Sequence, residues 1–303
     1  MSTPEPAVKR QTGSLLLALI EGMRPSHWVK NAFVFAALIF SRSLADWHRN
    51  VLVLAAAVAY CLSSSAIYLL NDIADASEDR NHPAKRHRPI ASGRLPVKAA
   101  ATAACLLIAV SLLGGWCLDR RFCLILAVYI AVNIVYSWFL KRVPLVDVFA
   151  VAAGFVLRVL GGAVVIHVAV SPWLIVCTTL LSLFLALSKR RHELVVLGKE
   201  APTHRMALAS YSPYLLDQLI GIVTASTLMS YALYTLAPDV KARFPGKRLE
   251  FTIPFVLFGI FRYLYLIHQG NEGGSPTKLL LTDGVLLSVV LLWSLSVTLI
   301  IYF

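Results

Sequence analysis

The sequence predicts an all-α, polytopic membrane protein with nine transmembrane helices. Three observations predict it. Of 303 residues, 58% are hydrophobic and only 15% are charged. Mean hydropathy is +0.73, more apolar surface than a soluble domain of this size can bury. Apolar runs long enough to cross a bilayer core recur along the whole chain, separated by short polar stretches.

The expected spans are 25–45, 50–72, 97–117, 122–140, 145–167, 171–188, 211–236, 251–268 and 279–302. The first is the least apolar, because it opens with Arg24, His27 and Lys30. The second runs straight into "LLNDIADASED". The third ends near Gly114 and Gly115, and the fifth carries Gly154, Gly161 and Gly162, small residues that let helices approach closely. The fifth also carries Arg158 and the eighth Arg262, charges that are expensive inside a span. The sixth ends in "SKRRHE". The whole chain, 1–303, reads as one integral-membrane domain behind a polar segment, 1–22. The polar loops fall at about 72–96, 140–145 and 188–210. No internal repeat and no cleavable signal peptide is expected. The five cysteines lie mostly in or beside apolar runs, form no CxxC pair, and read as small buried hydrophobes.

Lys and Arg set the expected orientation. With the N-terminus in the cytoplasm and the C-terminus outside, 18 of the 28 fall on the cytoplasmic side and 8 on the other. Lys241, Arg243, Lys247 and Arg248 run against that bias. All three polar loops then share one membrane face, which argues for a single site opening to the cytosol. The net charge of +12 suits anionic lipid headgroups or an anionic substrate. Nucleic acid is not an expected partner, since the basic residues lie between spans. A homo-oligomer is compatible with the pattern but not required by it.

The acids of that face carry chemistry. Asp72, Asp75 and Asp79 are spaced i, i+3, i+7, so a helix continuing past Leu70 stacks them on one side. Like charges stacked this way call for cations between them. Hard oxygen ligands suit Mg²⁺, which keeps waters and shares its remaining positions with substrate phosphates. Asn71 adds an amide. The competing reading is a solvated helix end whose acids pair with Lys85, Arg86 and Arg88. The cost of acids at the end of a membrane helix favours function. Downstream, Lys85, Arg88 and Arg94 are candidate phosphate binders. His82 and His87 read as loop residues, not metal ligands.

"NDIADASEDRNHPAKRHRPIASG" resembles the first aspartate motif of the UbiA superfamily of intramembrane prenyltransferases: Asn71, Asp72, Asp75, Asp79, a basic Lys85, then Arg88, Pro89, Ile90 and Gly93. "RPSHWVKN" (24–31) and "YSWFLK" (136–141) are similar to further segments of that family. The resemblance implies a bundle of nine helices around a central cavity. It also implies a second acidic motif, DxxxD, at the end of the sixth span. Here Lys189, Arg190, Arg191 and His192 stand in its place, with Glu193 the lone acid. That departure resembles an actinobacterial branch whose members transfer phosphoribose. The resemblance implies an Mg²⁺-dependent enzyme that moves 5-phosphoribose from 5-phosphoribosyl 1-diphosphate to decaprenyl phosphate, releasing pyrophosphate, for cell-wall arabinan precursors. The alternative is an aromatic-acceptor prenyltransferase using a polyprenyl diphosphate.

On the first reading Asp72, Asp75 and Asp79 hold the metal. Lys30, Lys85, Arg88 and Lys141 contact donor phosphates, and Tyr136 hydrogen-bonds the diphosphate or ribose. Arg158, Lys189, Arg190 and Arg191 are candidates for the sugar 5-phosphate or the lipid phosphate, a division the sequence leaves open. Asp147 is either a cavity residue or a partner of Lys141. Lys30 also reads as a snorkelling side chain, and the Lys189–Arg191 run as a topology anchor.

Overall fold

The computed structural model describes residues 14–81, 85–197, 206–269 and 276–303. His82, most of the polar N-terminal segment and part of the third polar loop lie outside the described residues.

The chain builds α1 (Leu15–Met23), a 3-10 segment (Pro25–Phe35) and α2 (Ala36–Phe40). Next come α3 (Trp47–Ala74), α4 (Ala76–Asn81), α5 (Val97–Leu118), α6 (Arg120–Trp138), α7 (Val146–Val165) and α8 (Pro172–Leu197). The last part is α9 (Pro213–Leu236), α10 (Pro238–Arg243), α11 (Ile253–Gln269), α12 (Pro276–Thr282) and α13 (Gly284–Tyr302). Among the described residues, eight helices are long and apolar enough to cross a membrane, so the protein is a polytopic all-α membrane protein. Neighbours in sequence pack side by side: α3 on α5, α6 on α7, α7 on α8, α8 on α9 and α11 on α13. The last helix meets the first elements, where Arg42 Nε donates to the Ile301 carbonyl at 2.9 Å. The Leu44 N–H donates to Tyr302 Oη at 3.0 Å.

The structure differs from expectation at the first span. Residues 25–45 form no continuous helix. Arg24 takes the left-handed conformation (φ 53°) and ends α1, and Pro25 restarts the chain as an eleven-residue 3-10 run. Such runs seldom exceed a turn or two. This one lies alongside α3 in the opposite direction, held by polar groups that an ordinary span would leave in lipid. His27 Nδ1 meets Tyr68 Oη at 3.1 Å, Trp28 Nε1 donates to Ser65 Oγ at 3.0 Å, and Asn31 Nδ2 donates to Cys61 Sγ at 3.1 Å. On its other side the backbone presses against α7 at Gly162. A Cβ there would stand 1.9 Å from the Val34 carbonyl oxygen. The same polar residues that make this segment the least apolar therefore make it an inner wall.

The helices enclose a cavity of about 880 Å³. Its wall is polar at the end where α3 stops and apolar further in, along Phe33, Phe40, Phe155 and Trp173.

Candidate active site

The expected continuous helix past Leu70 is nearly realised. The Asp75 N–H donates to the Asn71 carbonyl at 2.9 Å, and the Asp75 carbonyl accepts the Asp79 N–H at 2.8 Å. Asp75 itself caps α3, and α4 resumes one residue later. Asp72 and Asp79 are buried, each 2% exposed, whereas Asp75 keeps 30% of its side chain in solvent.

Each acid carries a cation. Arg24 Nη2 lies 2.5 Å from Asp72. Arg88 Nη1 bridges Asp72 at 3.3 Å and Asp79 at 2.7 Å. Lys141 Nζ, from the turn after α6, donates to Asp75 Oδ1 at 2.9 Å. Arg24 was absent from the expected site, although it opens the "RPSHWVKN" segment. Only its left-handed kink delivers it to Asp72. The loop after α4 is shaped by Gly93 at φ 76°, a region glycine alone enters without strain. It is anchored by Ile90 and Leu95, 2% and 1% exposed. Lys85 sits half-exposed in the short turn Lys85–His87. Arg94 does not reach the acids. Its two Nη atoms grip Glu21 at 2.8 and 2.9 Å, and that bidentate bond raises its pKa above the ordinary arginine value.

Across the mouth, α8 ends in the basic run. Lys189 and Arg190 line the cavity. Arg190, 3% exposed, donates through Nε to Asp147 Oδ2 at 2.8 Å, bonds Glu193 and reaches Tyr136 Oη at 3.4 Å. Asp147 is 0% exposed and is not among the residues that line the cavity, so the cavity-residue expectation is corrected; Arg190 is a basic partner of it. Its other oxygen accepts the Tyr211 hydroxyl at 3.0 Å. That hydroxyl in turn accepts the Leu145 N–H at 2.6 Å, and burial pushes its pKa up to about 12. Arg191 is not brought to the cavity. Its side chain turns to α9 and meets Asp217 at 2.5 Å. Successive helical residues point about 100° apart, so three consecutive bases cannot share one face.

Asn71, Lys30, Tyr136 and Arg158 all line the cavity, together with His27, and with Tyr68 and Asn133, which sequence reasoning passed over. Arg158 lies eleven residues beyond Asp147 on α7, about 16 Å deeper along the helix. It donates to Asn31 Oδ1 at 2.7 Å, the Gly154 carbonyl at 2.8 Å and Tyr129 Oη at 2.8 Å. Asn31, 2% exposed, is thus a further missed residue, fixed between Arg158 and Cys61.

Among the described residues no three acid, histidine or cysteine side chains already converge on one point as a metal cage. The arrangement is instead an acidic cluster spanned by cations, which adjoins the cavity at Asn71, a basic rim tied down by buried Asp147 and partly exposed Glu193, and an apolar pocket. It can bind an extended polyanion at the mouth and an apolar chain below.

A model of the family described as "UbiA prenyltransferase family" matches residues 31–192. Decaprenyl-phosphate phosphoribosyltransferase of Corynebacterium glutamicum is 33% identical over 94% of this chain and 86% of its own length. The protein of that name from Mycolicibacterium smegmatis is 33% identical over 96% of this chain and 94% of its own. Among solved structures, a UbiA homolog from Archaeoglobus fulgidus, bound to GPP and Mg²⁺, superposes with a TM-score of 0.68. It covers 93% of this chain and 99% of that one, and at 18% identity it speaks for the fold alone. The family model and the near full-length relatives agree: the chain belongs to the UbiA prenyltransferase family.

Proposed function

We propose that this chain transfers 5-phosphoribose from 5-phosphoribosyl 1-diphosphate to a polyprenyl phosphate acceptor, decaprenyl phosphate in the relatives' name, releasing pyrophosphate. The product would feed cell-wall arabinan synthesis. The observation that carries this reading is the basic rim. Lys189 and Arg190 line the cavity where a prenyl-diphosphate enzyme of the family would present acids, while the aspartate rim is retained. One acidic and one basic rim suit two phosphorylated substrates held in different ways. The near full-length likeness to two phosphoribosyltransferases supports the same reading. The positive-inside bias supports a plasma-membrane protein with its N-terminus and site in the cytoplasm and its C-terminus outside.

Mg²⁺ fits the aspartate rim. Arg88 already spans Asp72 and Asp79 with a single nitrogen, so that space takes a cation, and the donors are the hard oxygens this metal prefers. Asp72, Asp75 and Asp79 would hold it with the diphosphate. When bound, it would neutralise charge on the leaving pyrophosphate.

The chain's own residues do the rest. Lys141 and Arg88, released from the acids, and Lys85 bind diphosphate oxygens. Tyr136 orients the donor, and the fixed guanidinium of Arg190 stands behind it. The bond from C1 to the diphosphate breaks, and pyrophosphate departs with its electron pair. A bond forms from C1 to an oxygen of the lipid phosphate. That nucleophile is ionised at neutral pH, so no general base is required. Positioning and charge stabilisation carry the rate.

The test uses detergent-purified protein, Mg²⁺, polyprenyl phosphate and radiolabelled 5-phosphoribosyl 1-diphosphate. Label should enter the organic phase with release of pyrophosphate, and omission of Mg²⁺ should stop it. Consumption of a prenyl diphosphate against an aromatic acceptor, with no ribosyl transfer, would overturn the proposal.

A further inference from the structure

The sequence leaves open which basic residues meet the sugar phosphate and which the lipid phosphate; the charge balance inside the cavity separates them. Arg158 is 6% exposed and lines the cavity. A guanidinium has five N–H donors. Three are spent on Asn31, Gly154 and Tyr129, all neutral, which leaves two. The ring of Tyr129 lies 4.7 Å from the guanidinium and that of Phe155 5.3 Å, so the group is held in a fixed pose. Among the described residues no carboxylate neutralises it. A buried charge in that state is costly unless an anion arrives.

Lys30 lines the same cavity and immediately precedes Asn31, the residue that holds Arg158 Nε. It also has no carboxylate among the described residues, and it feels the charges of Arg158 and Arg24. Lys189, on the facing helix, feels Lys30 in turn. Its acid, Glu193, is 3.7 Å away and is shared with Arg190, which bonds it more closely. Lys30, Arg158 and Lys189 therefore line one cavity, and among the described residues only Lys189 of the three meets a carboxylate.

We propose that Lys30, Arg158 and Lys189 form a second phosphate site, separate from the aspartate rim, that takes the phosphate monoester head of the lipid acceptor. This rests on the transferase reading above. Two sources of phosphate monoester would then be present, the lipid and the 5-phosphate of the donor, and the wall decides between them. Next to Arg158 it becomes apolar, with Phe33 and Phe155 edge to face at 4.9 Å and Trp173 further along. A head carrying a long apolar tail fills both parts; a sugar phosphate fills only the first.

The experiment measures binding of farnesyl phosphate, farnesol and ribose 5-phosphate, without Mg²⁺, to wild type and to Lys30→Gln, Arg158→Gln and Arg158→Lys. Lys30 makes no side-chain hydrogen bond among the described residues, so Lys30→Gln keeps the test valid should Arg158→Gln fold poorly. Both glutamine variants should weaken farnesyl phosphate at least tenfold. Farnesol and ribose 5-phosphate should change less than twofold, and Arg158→Lys should recover part of the loss. Unchanged farnesyl phosphate binding would overturn the site. A loss confined to ribose 5-phosphate would overturn its assignment to the lipid. Wild type that binds farnesyl phosphate in this way yet transfers no phosphoribose would overturn the transferase reading and leave the site standing.

Discussion

The two rims of the cavity mouth handle charge in opposite ways. On the aspartate rim the acids are mostly buried, and the cations that satisfy them are about a quarter exposed: 25% for Arg24, 28% for Arg88 and 28% for Lys141. On the basic rim the Arg190–Asp147 pair is hidden, at 3% and 0%, beside a Lys189 that is 42% exposed. Exposed side chains on long stems exchange partners cheaply, whereas a buried ion pair is costly to open. On the proposed function the first rim is the loadable one: its cations would leave for a phosphate when a metal replaced them. The Arg190–Asp147 pair is architecture, presenting the same positive group whether or not substrate is there. One mouth thus combines a changeable binder with a permanent one.

The largest effect should come from breaking the loadable rim. Asp72→Asn and Asp75→Asn each keep the size of the side chain and a hydrogen-bond acceptor but remove the charge. Each should lower kcat by about 10²–10³-fold, while the melting temperature in detergent moves little. Near-normal turnover in both would mean that the acids serve only to hold Arg24, Arg88 and Lys141.

Asp147→Asn should show the reverse pattern. Its removal leaves Arg190 buried with Glu193 as its remaining carboxylate, and breaking a buried pair costs about 3–5 kcal/mol. Thermal unfolding should therefore shift strongly, with loss of activity following loss of fold. A variant that stays as stable as wild type while losing turnover would place Asp147 in the chemistry. Next in size is Gly162→Ala. The added Cβ would overlap the Val34 carbonyl, and overpacking of this kind costs about 1–3 kcal/mol. It should also displace the 3-10 segment, so Lys30 moves and KM for the acceptor rises more than KM for the donor. Equal changes in both KM values would count against the wall argument.

Much of this was legible in the sequence. The eight long helices follow from hydropathy alone, because a bilayer imposes length and composition on anything that crosses it. The aspartates were legible because acids at the end of an apolar run have few inexpensive explanations. Three things were not. The first wall is apolar enough to pass for a span, and only its docking onto Tyr68, Ser65 and Gly162 explains its 3-10 form. Arg24 reaches Asp72 through one left-handed residue, which composition does not announce. Asp147 finds Arg190 across 43 positions, and no local period links them.

The smallest predicted effect is the sharpest check on how the basic run divides. Lys189, Arg190 and Arg191 are equivalent as letters, and a topology anchor or a phosphate cluster would use all three. The helix separates them. Lys189 and Arg190 face the cavity, and Arg191 faces α9, where Asp217 also meets His268 Nε2 at 3.4 Å. Asp217 is 39% exposed, so the pair is worth about 0–1 kcal/mol. Arg191→Ala should therefore leave kcat and both KM values within about twofold and lower stability by no more than about 1 kcal/mol. Lys189→Gln should raise KM for the acceptor by contrast. The two variants remove the same formal charge from adjacent positions, so general electrostatics and membrane anchoring predict equal outcomes for them. A KM effect at Arg191 matching that at Lys189 would show that charge near the mouth matters more than which wall carries it.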